Sequence, residues 1–139
     1  VNVAIDLETL ITMVFNLSYP FHGYAHTFLG ATAIGIIWGL TAFSFRQFIG
    51  RLMKIVRLSY ATTLRKCIYS AILGGWLHVL LDAPLYTDIR PFYPLNHNPL
   101  YGIVSVSWMY LICTAAFVPA TGFYYYSLRR KNDKINRNP

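Results

Sequence analysis

Apolar residues in this chain come in blocks rather than at regular intervals. Three stretches, 27–45, 67–85 and 103–127, are apolar over nearly their whole length. About 20 such residues suffice to cross the hydrocarbon core of a bilayer as a helix. Glycines inside the first two, among them Gly30, Gly35, Gly39, Gly74 and Gly75, let helix backbones approach closely where lipid offers no hydrophobic drive for association. A fourth stretch, "AIDLETLITMVFNL", is apolar but carries Asp6 and Glu8 near its start, and reads as a re-entrant or interfacial helix, or as the end of a span. Between the first two spans, "RQFIGRLMKIVRLSYATTLRK" sets Arg51, Lys54 and Arg57 three apart among Leu52, Ile55, Val56 and Leu58. That pattern describes an amphipathic helix on anionic lipid.

The expected fold is therefore all-α: a polytopic membrane helical bundle with three clear transmembrane helices. To these are added the N-terminal partial helix and a basic connector over 46–66, all in one integral-membrane domain. Composition supports this reading, since 12% of residues are charged where soluble domains carry about 25%. Cys67 and Cys113 fall inside the apolar stretches and read as small hydrophobes.

The placement of charge orients the bundle. Arg46, Arg51, Lys54, Arg57, Arg65 and Lys66 lie in the connector, and Arg129, Arg130, Lys131, Lys134 and Arg137 at or beyond the end of the third span, whereas Arg90 alone occupies the loop 86–102. By the positive-inside rule the connector and the tail 128–139 are cytoplasmic and the loop is extracytoplasmic, in an inner or plasma membrane. No nucleic-acid recognition motif accompanies these cations, so the partner they imply is the lipid bilayer.

The other titratable residues segregate the opposite way. His22, His26, His78, His97, Asp6, Glu8, Asp82 and Asp88 all map to the extracytoplasmic side, and only Asp133 does not. In "HGYAH" the two histidines are four apart and share a face if the helix begins before His22, with Pro20 in its first turn. His78 and Asp82 repeat that spacing in "HVLLD", inside a span, where an ionisable residue by default faces a cavity or partner. In "DLE" both carboxylates face one way if the segment is extended. Together Asp6, Glu8, His22, His26, His78 and Asp82 form a candidate site for a divalent metal, zinc first, with manganese or iron as alternatives. Such an ion brings the pKa of a water toward about 7. Each residue also has a plainer reading: Asp82 can end a helix before Pro84, His78 can bond a bundle carbonyl, and His97 can sit among lipid headgroups. Arg90 can bind an anionic substrate group or simply pair with Asp88.

These motifs resemble a family of small prokaryotic membrane proteins described as membrane-bound metal-dependent hydrolases. That family has an Asp-x-Asp motif, then His-Arg-Gly-x-x-His-Ser opening a membrane helix, then His-x-x-x-Asp and a loop ending in proline. Here "DLE", "HGYAHT", "HVLLD" and "RPFYP" follow in the same order over residues 4–94. Glu8 replaces the second aspartate, the histidine spacing is one residue shorter, the arginine is absent and Thr27 stands for serine. The resemblance implies a further helix ahead of Val1.

The function expected is hydrolysis of an ester or phosphoester, lipid-like given the depth of the site. A carboxylate, Asp82 or Glu8, accepts the proton and Arg90 steadies the anion. The alternative is a non-catalytic accessory subunit of a larger membrane protein complex, packed through glycine and aromatic faces.

Overall fold

The computed structural model describes residues 1–17, 21–58 and 60–137, without side-chain detail from Arg130 onward. It is helical, with no strand among the described residues. The elements are α1 (Asn2–Val14), a 3₁₀ turn (Tyr24–His26), α2 (Phe28–Ser44), α3 (Arg46–Ile55), α4 (Leu64–Asp82), α5 (Val106–Ala115) and α6 (Phe117–Arg137).

Capping explains several of the boundaries. Thr27 adopts an extended conformation, and its Oγ1 accepts the Gly30 N–H at 2.8 Å, which opens α2 at Phe28. Thr63 and Ser105 do the same for α4 and α5, accepting from Lys66 and Trp108. Because Thr27 is the cap, His22 stands outside the helix, contrary to the expectation of one helical face carrying both histidines; Pro20 lies outside the described residues. The "DLE" segment is likewise helical rather than extended.

Helices α2 and α4 make the central pair, and they run antiparallel. A Cβ on Gly35 would lie 2.9 Å from the Ile72 Cα, and one on Gly39 2.6 Å from the Ile68 Cα, so the chains touch backbone to backbone along a small-residue stripe. The Trp76 indole N–H reaches back across this pair to the Thr32 Oγ1 at 2.8 Å and the Phe28 carbonyl at 3.2 Å. Helix α1 closes one end: Ile5 is fully buried with Ala31 and Val79. The antiparallel pairing puts the His/Asp ends of α2 and α4 together. Arg46, Arg65 and Lys66 sit at the other end, about 25 Å away at 1.5 Å rise per residue.

One helical segment, Val106–Arg129, is by length and composition able to cross a membrane, and only 6% of its apolar window is buried. The other two expected spans are helices but fall short by the same measure. Helix α2 has 17 residues and passes only when joined to α3, from which it is bent by 74°. Helix α4 carries Arg65, Lys66, His78 and Asp82, which lower its hydropathy. The bend at Phe45 is where the apolar run gives way to the basic connector, whose α3 begins at Arg46.

The loop after α4 is held by its own polar groups. Asn98 Nδ2 donates to the Ala83 carbonyl at 2.7 Å and the Tyr86 carbonyl at 3.1 Å. Ile89 is fully buried, and the Pro91 carbonyl accepts the Phe28 N–H at 2.9 Å. The loop therefore folds over the start of α2 and walls the His/Asp end.

Candidate metal centre

Four of the six expected ligands converge. Donor atoms of Asp6 (α1), His26 (3₁₀ turn), and His78 and Asp82 (α4) all lie within 4.8 Å of one another. His78 Nε2 is 3.1 Å from Asp6 Oδ1 and 3.2 Å from Asp82 Oδ2, and His26 Nε2 is 3.6 Å from Asp6 Oδ1. Zinc–ligand bonds of about 2.0–2.2 Å place tetrahedral donors about 3.3–3.6 Å apart, so these separations approximate the edges of such a polyhedron.

Protons alone satisfy the group poorly. A neutral His78 has one N–H for two carboxylates if Nε2 carries it. His26 is 0% exposed, yet neither of its ring nitrogens has a hydrogen-bond partner. A buried, unsatisfied polar atom costs about 1–3 kcal/mol, and a cation held by Asp6, His26 and His78 would relieve it at one of the two nitrogens. Burial, and then the neighbouring His22 and His78 rings, push the His26 imidazole below the usual histidine range. The ring is thereby kept neutral, the form a metal requires.

The remaining expected residues take other positions. Glu8 stands on the far side of His26: its Oε2 is 3.7 Å from Nδ1 and accepts the Ala25 N–H at 2.9 Å. At 3.7 Å this carboxylate is beyond hydrogen-bond distance and acts on the ring through its charge alone; α1 places Asp6 and Glu8 on two sides of one ring. His22 packs edge-on against His26, with ring centroids 4.7 Å apart, but its Nδ1 faces both Asp88 oxygens at 3.0 and 3.1 Å. Arg90 donates to Asn96 Oδ1 at 3.1 Å and lines a neighbouring cavity of about 130 Å³ with His22, Asp88 and Tyr93. His97 is exposed in the loop.

The His22–Asp88 pair is the contact that sequence reading missed, because Asp88 had a nearer candidate in Arg90 and a partner 66 residues away leaves no spacing signal. Burial raises the Asp88 carboxyl, but the His22 backbone N–H at 3.0 Å and the His22 ring outweigh it and hold the group below its ordinary value. A depressed carboxylate contributes stability above its unfolded pKa and loses it as pH falls through the folded one. Asp88→Asn is therefore expected to lower the melting temperature at pH 7, and the gap from wild type is expected to close below about pH 4. Thermal melts across pH check this; a gap that persists in acid would assign the effect to packing.

No family model, curated protein or solved structure matches the chain.

Proposed function

We propose that this chain is a polytopic membrane protein with a metal centre at its extracytoplasmic face, and that it hydrolyses an ester or phosphoester. The observation that carries the reading is the fully buried His26, unbonded at both ring nitrogens, among Asp6, His78 and Asp82. The motif order shared with membrane-bound metal-dependent hydrolases supports it. The separation of cations from the His/Asp end of the α2–α4 pair supports the orientation, with loop 86–102 outside and the C-terminus cytoplasmic.

Asp6, His26 and His78 would hold the ion, zinc by preference of this nitrogen and oxygen set. When bound, such an ion makes hydroxide available near neutral pH and polarises the scissile group. Asp82 then has one advantage over Glu8 as proton acceptor: it belongs to the convergent set, whereas Glu8 accepts the Ala25 N–H and stands behind His26. Hydrolysis forms a bond from the water oxygen to the acyl carbon or phosphorus and breaks the bond to the leaving oxygen. Asp82 Oδ2 takes the water proton and returns it to that oxygen, so no redox partner is needed. Glu8 places a negative charge behind His26, and Arg90 faces the outer cavity where an anionic group can approach.

The test is metal content of the protein purified in mild detergent, followed by ester and phosphodiester hydrolysis. About one equivalent of zinc, manganese or iron is expected, with activity lost in Asp82→Asn. Absence of stoichiometric metal would overturn the enzyme reading. One observation favours a second reading, an accessory subunit of a membrane complex: Phe117, Val118 and Phe123 on α6 are 72%, 75% and 72% exposed. A stable heteromeric band on a native gel, with no bound metal, would support that reading.

A further inference from the structure

Beside the metal centre, between α4 and α5, lies a second cavity of about 290 Å³. His78 and Asp82 form part of its wall, and Leu77, Leu81, Leu85 and Met109 form much of the rest. It exists because α5 stands off from the α2–α4 pair: Met109 is the buried residue of α5, while the Val106–Arg129 segment is only 6% buried over its apolar window. Leu77 and Tyr110 line the cavity and are 55% and 71% exposed. The cavity therefore opens sideways, onto the same surroundings as the apolar surface of α5.

A mostly apolar chamber offers water few partners, yet this one ends at two of the four donor groups. An occupant has to be apolar along most of its length and polar where it meets His78 and Asp82. At about 290 Å³ the volume lies at the lower limit for ligand pockets, which suits one slender chain. We propose that this cavity seats a single alkyl or acyl chain, delivering the ester or phosphoester of an amphiphile to the Asp6–His26–His78–Asp82 centre from within the bilayer. The inference rests on the hydrolase reading and deepens it. The bond broken is the ester bond at the polar end, water supplies the hydroxyl of one product and the proton of the other, and the chain itself is unchanged.

Alkyl hydroxamates are suitable probes, since the head binds zinc whatever the chain. Zinc-loaded wild-type protein in nanodiscs is expected to bind octanohydroxamate at least about a hundredfold more tightly than acetohydroxamate, because each buried methylene adds to affinity. Met109→Trp, which fills the cavity, is expected to reduce that ratio to below about tenfold, with zinc stoichiometry and acetohydroxamate affinity unchanged. Leu77→Trp, on the exposed wall, provides a second variant should Met109→Trp lose zinc. An undiminished ratio in a zinc-loaded variant would place the chain elsewhere, and equal binding of both probes by wild type would show that no chain is seated. Either result overturns the inference and leaves the metal centre intact. A wild type that binds no zinc overturns both.

Discussion

His26→Ala is expected to abolish stoichiometric metal binding, leaving less than about a tenth of an equivalent after dialysis, whereas Glu8→Gln is expected to weaken affinity by no more than about tenfold. The difference follows from where the two side chains stand. His26 offers a donor atom to the set formed with Asp6, His78 and Asp82. Glu8 stands behind the His26 ring, its Oε2 3.7 Å from Nδ1. Loss of fold cannot account for the His26 effect if the metal-free proteins melt alike, and the energetics point that way. Removing the ring opens a cavity, which destabilises, but it also removes two buried nitrogens that have no hydrogen-bond partner, which stabilises. Metal-free His26→Ala is accordingly expected to melt close to metal-free wild type, while added zinc raises the melting temperature of wild type alone. His78→Ala is expected to match His26→Ala in metal content. If either variant keeps a full equivalent of zinc, the centre lies elsewhere.

How far the sequence revealed this arrangement depended on whether a residue's partner is set by local spacing. His78 and Asp82, at i and i+4 on one helix, meet as expected. The apolar blocks 27–45 and 67–85 correspond to α2 and α4 within a few residues, because block composition is a local property. The basic connector yields a helix, α3, only over Arg46–Ile55, with its charges and apolar residues on two faces; Val56, Arg57 and Leu58 lie beyond it, and Arg57 at φ 57° ends the helical path. Spacing failed at "HGYAH", where Thr27 caps α2 and excludes His22 from the helix; a threonine preceding an apolar run was the available signal. It failed also at "DLE", where helical rather than extended backbone sends Asp6 and Glu8 to opposite sides of His26. Convergence of α1, the 3₁₀ turn and α4 on one point is a tertiary fact, and only the collection of histidines and acids at one end hinted at it.

That convergence depends on how closely α2 and α4 approach, which yields the second large effect. Gly35→Ala is expected to destabilise the protein strongly and to cost metal binding with it, whereas Gly74→Ala is expected to be neutral or mildly stabilising. Both positions are helical glycines, so both gain about 0.5–1 kcal/mol from alanine's better helix propensity. Surroundings decide the sign. A Cβ at Gly74 would meet nothing nearer than Asn2 Oδ1 at 4.0 Å, whereas one at Gly35 would lie 2.9 Å from the Ile72 Cα. The obstructing atom at Gly35 is backbone, so no rotamer change relieves it. The helices must separate, at a cost of about 1–3 kcal/mol or more. His26 enters α2 through the Thr27 cap, and His78 lies on α4 between the buried residues Gly75 and Val79. Prying the pair apart at Gly35 therefore displaces one histidine relative to the other. Melting temperature and zinc content of the two variants, measured together, check this, and a Gly35→Ala protein that keeps both would show that the α2–α4 seam is not what positions the donors.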